Sequence, residues 1–185
     1  MRQTCTADTA ERGIIAALGD TFYRVVPPAF TICCVHVSRV ATGVLAAFGV
    51  PARLLPCQLW HTTPTNNHVM GFVGVKPRPD QWDGHVACAT SRNIFDPAVR
   101  GLRINTGRPL PAIASAPMFE VSTRVIARLA LDAERQLWWY EAPEGADLCI
   151  PPPASERMVR EHVAALVALI ENRLVSDPPV KTPSG

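Results

Sequence analysis

Residues 34–53 read Cys34-Val-His-Val-Ser-Arg-Val-Ala-Thr-Gly-Val-Leu-Ala-Ala-Phe-Gly-Val-Pro-Ala-Arg53, and this stretch decides the fold. Cys33, Val37, Val40, Val44 and Phe48 recur at helical spacing, which predicts a helix starting at Cys33 or Cys34 and ending at Phe48. Gly49 is placed to stop it, and Pro51 cannot continue it. Ser38, Ala41 and Ala46 are small, so the helix is expected to pack closely on several sides. Upstream, Ile14, Ile15, Leu18, Phe22 and Val25 predict an earlier amphipathic helix from about Ala7 to about Val26, ended by Pro27-Pro28.

Downstream the texture changes to strands, predicted at 52–60, 68–76, 85–90 and 94–96. Gly71 and Gly74 mark bulges or a close backbone approach in the second of these. The Pro-rich stretch 101–119 reads mostly as loop. Residues 123–141 fit either a helix or a hairpin. The hairpin is preferred, because QLWWYEA has strand composition and Asp132–Arg135 suits a turn. Ser155 is positioned to cap a last helix reaching about Val175. The expected fold class is α+β, a helical layer on an antiparallel sheet. It forms a single domain over 1–175, with a disordered tail at 176–185.

Composition narrows the function. The chain has 185 residues, 48% hydrophobic and 18% charged, enough for a buried core and too apolar for wholesale disorder. Net charge is only +2 and the arginines form no stripe, which argues against nucleic acid. The N-terminus lacks the apolar core of a secretory signal and no membrane-length apolar run occurs, so a cytoplasmic location away from membranes is expected. In that compartment the six cysteines are not a disulfide framework, and neighbouring Cys33 and Cys34 cannot bridge each other readily.

Three residues stand apart chemically. Cys34 opens a helix, where the macrodipole favours a thiolate. His85 opens a strand and can take the thiol proton as a general base. Asp96 lies on the next strand and can fix the imidazole tautomer. Asn93 or Asp83 are alternatives for that orienting role.

This arrangement resembles the transglutaminase-like superfamily of cysteine enzymes, with its papain-like Cys-His-Asp core. Gly49-Val50-Pro51-Ala52-Arg53 matches the family's helix exit, and the family's spacing back from it selects Cys34 over Cys33. Gly84-His85-Val86 and Asp96-Pro97-Ala98 match the His and Asp positions, so the likeness spans about residues 30–100. The chain departs from the family in a short His–Asp interval. Ala87 and Cys88 also stand where an aromatic usually follows the His, and Trp82 is a candidate shield in its place. The resemblance implies a thioester acyl-enzyme formed on a peptide, protein or other amide-bearing substrate, resolved by water or by an amine, with hydrolysis preferred. It implies no cofactor and no metal. A non-catalytic binding module of the same fold, presenting Trp138 and Trp139 to a partner, is the alternative.

The remaining candidates have simpler readings. Cys5, Cys33, Cys57, Cys88 and Cys149 read as core or incidental. His36 reads as structural or exposed. Cys57, His61, His68 and Cys88 lack the paired short spacings of zinc modules. The Cys34 amide is a natural oxyanion donor, and Gln58, Trp60 and His61 are open alternatives for a second. The Trp138-Trp139-Tyr140 run is expected to put one face in the core and one at its rim.

Overall fold

The computed structural model describes residues 3–74, 82–102, 110–120 and 124–176. Among them it is an α+β chain of three α-helices and a seven-stranded antiparallel sheet. The helices are α1 (Gln3–Val25), α2 (Cys34–Ala47) and α3 (Glu156–Ser176). The strands are β1 (Arg53–Thr62), β2 (Asn67–Met70), β3 (His85–Ala89), β4 (Asn93–Asp96), β5 (Ala114–Pro117), β6 (Val125–Ala130) and β7 (Gln136–Glu141). Strand order is β5-β4-β3-β1-β7-β6, with β2 beside the far half of β1. A bridge from Met118 to Ala127, reinforced by Phe119 N–H donating to Ile126 C=O at 2.9 Å, ties the end of β5 to β6. The sheet therefore curls into a nearly closed barrel.

Two cores follow from this curl. The helical core joins Leu18 and Phe22 of α1, Val37, Val40, Ala41 and Val44 of α2, and Leu166 and Ile170 of α3, with Cys88 and Phe95 from the sheet. The barrel core holds Cys57, Leu59, Ala87, Ile94, Leu137 and Trp139. Strand β3 lies between the two and is buried at every residue, which is why His-Val-Ala-Cys-Ala shows no polar face. Helix α2 is pinned to it by Ser38 Oγ–H donating to Val86 C=O at 2.9 Å. Gly43 lets α3 close on α2, since a Cβ there would lie 2.8 Å from Val163 Cγ2.

The exit of α2 ends as its sequence dictates. Gly49 takes φ +72°, its N–H donates to Ala46 C=O at 3.0 Å, and Val50 N–H donates to Leu45 C=O at 2.9 Å. That pair of bonds is a Schellman stop, which returns the chain directly into β1.

Residues 123–141 form the preferred hairpin over the described part, β6 and β7 turning at Asp132–Arg135. One expectation is refined and one is corrected. The 101–119 stretch contains a strand, β5, whose Ala114 and Ala116 face inward; small residues and a terminal proline hid its alternation. The second strand stops at Met70, because Gly71 and then Phe72 enter positive φ. Positions 75–81, 103–109 and the tail from 177 lie outside the described residues. Among the described residues no helix is long and apolar enough to cross a membrane.

Candidate active site

Helix α2 begins directly at Cys34, with Cys33 as a non-helical N-cap that makes no side-chain capping bond. The first-turn amides of a helix lack intrahelical acceptors, so the half-buried Cys34 sits at a concentration of N–H donors. Its Sγ reaches over the sheet to within 3.9 Å of Gly84 C=O, the residue before His85. Strand β3 then aims His85 into the barrel end, opposite Cys57 on β1.

His85 and Asp96 are both wholly buried. His85 Nε2 meets Asp96 Oδ2 at 2.8 Å. The same oxygen accepts Trp139 Nε1–H at 2.8 Å, and Asp96 Oδ1 accepts Ala98 N–H at 2.9 Å. An ionised carboxylate can only accept, so Nε2 carries a proton and the neutral ring has its lone pair on Nδ1. Nδ1 is buried and has no hydrogen-bond partner among the described residues. Burial by itself lowers the proton affinity of His85. The charge and hydrogen bond of Asp96, joined by Cys34, outweigh it and raise the pKa to about 10. Cys34 thus adds to what holds a proton on His85.

Asp96, rather than Asn93 or Asp83, holds the imidazole. Asn93 Nδ2 donates to Glu11 Oε1 at 2.7 Å, and that carboxylate also accepts from Thr90. Asp83 serves the site through its backbone, accepting Phe72 N–H at 2.7 Å. Two of the side-chain oxyanion candidates are engaged, and the third is distant. Gln58 donates to Phe72 C=O at 3.0 Å, and Trp60 Nε1 donates to Gln58 Oε1 at 3.3 Å. His61 is four residues along β1 from Cys57, about 13 Å away at strand rise. The Cys34 amide is left as the donor at hand.

Trp82 lies flat against Gly84, where a Cβ would come within 2.2 Å of its ring. Its Nε1 donates to Asp147 C=O at 2.8 Å, and Phe72 packs edge-on to it at 5.6 Å. Phe72 holds φ +53°, a costly conformation for a bulky residue. A cavity of about 340 Å³ lined by Phe72, Asp83, Glu144 and Asp147 opens beside this wall. Neither Phe72 nor Trp139 is singled out for the site by sequence. The signal available was Trp139 itself, since a buried indole N–H requires an acceptor.

The other cysteines separate by environment. Cys57 and Cys88 are buried as expected, and burial pushes both thiols up, Cys88 to about 11. Cys33 and Cys149 are exposed, which corrects their core reading. Cys33 has ψ 69°, outside the helix, so the helical period does not extend to it. His36 is structural: it is buried, stacks on Phe30 at 4.4 Å and pairs with His162 at 3.0 Å. Cys57, His61, His68 and Cys88 do not gather, and no group of three or more His, Cys, Asp or Glu among the described residues is set to hold a metal ion.

Fold and site together define a class: an α+β chain with a helix-borne thiol over a buried His–Asp pair. No family model matches this chain, nor does any curated protein or solved structure.

Proposed function

We propose that this protein is a transglutaminase-like cysteine enzyme that cleaves amide bonds through a thioester. What supports the reading is one observation: Asp96 holds His85 by Nε2, leaving a buried, unpartnered Nδ1 for the thiol at the start of α2. In the reactive state the Cys34 proton already rests on Nδ1, in keeping with the raised pKa of His85, and the sulfur attacks the acyl carbonyl. The carbonyl oxygen becomes an oxyanion against the Cys34 amide. His85 returns the proton to the departing nitrogen, so the C–N bond breaks as the C–S bond is retained. Water, deprotonated by the same Nδ1, then attacks the thioester and frees the acid and the thiol. Hydrolysis is preferred to acyl transfer because the sequence carries no acceptor-binding motif. A purely binding module is disfavoured, since Trp139, half of the pair it would present, is fully buried.

Iodoacetamide labelling with peptide mapping tests this, with a Cys34→Ala variant as the assignment control. Cys34 is expected to react at least about tenfold faster than Cys33 at neutral pH. Equal rates for the two neighbours defeat the proposal, because Cys33 is the more exposed and shares the same chain segment.

A further inference from the structure

We propose that Trp139 is a positioning residue of this site, setting the orientation and proton affinity of His85 through Asp96. The inference rests on the function proposed above and assigns it a residue that lies 43 positions from Asp96 in sequence. Trp139 occupies the middle of β7, paired with Leu59 of β1 on one side and Ala127 of β6 on the other. Its ring is wholly buried in the barrel core. A phenylalanine or leucine would fill such a place without bringing a polar atom. The indole brings one, and its N–H ends on the very oxygen that holds His85.

The consequence is electrostatic as well as steric. Asp96 accepts N–H groups from His85, Trp139 and Ala98. Those donors arrive from three separate segments, so the carboxylate cannot turn without losing one of them. Trp139 also draws charge from Oδ2, which moderates how strongly Asp96 holds the proton on the imidazole. The ring has to take a proton from the thiol and then surrender it to the leaving nitrogen. An unmoderated carboxylate would favour the first step and impede the second. The other ionisable groups around the pair are Cys34 of α2, Cys57 of β1, Cys88 of β3 and Tyr23 of α1, each coupled to Asp96 or His85. Tyr23 hydroxyl donates to Pro97 C=O and is itself held neutral by burial.

The test removes the N–H and keeps the ring. Benzothienylalanine at position 139 replaces nitrogen by sulfur in the same bicycle, and Trp139→Phe is the genetic counterpart. The His85 imidazole nitrogens are followed by NMR across the alkaline range, beside the pH profile of Cys34 alkylation. Without the N–H, the His85 midpoint is expected to move up by about one pH unit, a tenfold change in proton affinity. The alkylation profile is expected to follow it. An unchanged midpoint in the benzothienylalanine protein overturns the proposal, even if the protein is less stable, because a merely structural tryptophan would alter stability alone. The NMR arm reads His85 whether or not Cys34 reacts. Sluggish Cys34 labelling in the unaltered protein would therefore count against the enzyme reading and leave the Trp139 link to be decided by the His85 midpoint.

Discussion

Two buried histidines face the same side of β1 and differ in almost everything else. His85 sits across from Cys57 near one end of the barrel, and His61 sits across from its own strand partner, His68, further along. Both are fully buried. His85 has a carboxylate at 2.8 Å and a raised pKa, about 10. His61 has no hydrogen-bond partner for either ring nitrogen among the described residues. Burial, the nearby His68 and Arg135 lower its pKa, opposed only by Asp132. Burial therefore does not decide what a histidine can do. One acceptor converts an imidazole that must stay neutral into one that can carry and pass a proton. That difference marks one pair as a candidate for chemistry and the other as a polar group stranded in a core.

The largest predicted effect comes from making His85 resemble His61. Asp96→Asn keeps the shape, removes the charge and offers Nε2 the wrong tautomeric partner. Amide-cleaving activity is expected to fall by about 10³- to 10⁴-fold. The His85 midpoint, measured by NMR, is expected to fall well below about 10, because burial is then opposed by Cys34 without Asp96. Asp96→Ala is expected to destabilise the fold by about 3–5 kcal/mol in urea unfolding, since it leaves a buried imidazole with no partner. A His85 midpoint that stays high in Asp96→Asn would mean that Asp96 is not what separates the two histidines.

A second, smaller break acts through the backbone. Gly71 has φ +86°, and a Cβ there would lie 2.4 Å from His85 Cβ and 2.5 Å from His85 N. Gly74 has a similar φ of +76° with nothing within 4 Å. Gly74→Ala therefore isolates the conformational strain, about 1–2 kcal/mol. Gly71→Ala adds the clash and is expected to cost about 2 kcal/mol more, as overpacking does. It should also depress Cys34 labelling, which Gly74→Ala should leave alone. Equal stability losses for the two variants would show that His85 is not wedged by the Gly71 turn.

What the sequence could disclose follows the same division between local and long-range causes. Cys34, Gly49 and the β3–β4 partners were legible because each announces itself in a short window: a helix start, a Schellman glycine, a strand ended by Asp-Pro. The close approach at Gly71 was legible as a glycine inside a strand pattern. Trp139 was not, because which acceptor its N–H meets depends on the registers of β7 with β1 and of β3 with β4, which no local pattern fixes. Strand β5 was missed because Ala-Ser-Ala-Pro carries no bulky alternation, and its place is set by pairing with β4. Cys33 matches the helical period in sequence but lies outside the helix, whose first residue is Cys34.

The pH dependence of stability gives the two histidines opposite signs. The folded-state pKa of His85 is raised, so its contribution is complete below the unfolded value of about 6.5 and is lost as pH rises through about 10. The folded-state pKa of His61 is lowered, so its contribution is present above about 6.5 and is lost as pH falls through its folded value. His61→Leu removes the second dependence and the stranded polar atoms together. It is expected to leave activity intact and to gain about 1 kcal/mol at neutral pH, because an apolar side chain of similar size needs no partner there. The gain should grow as the solution is acidified and be unaffected on the alkaline side, where His85 governs. Urea midpoints of the variant and the parent, compared on both sides of neutrality, check this. A destabilised His61→Leu would mean that His61 has a partner after all, and that the contrast between the two ends of β1 is one of partner identity rather than of partner and none.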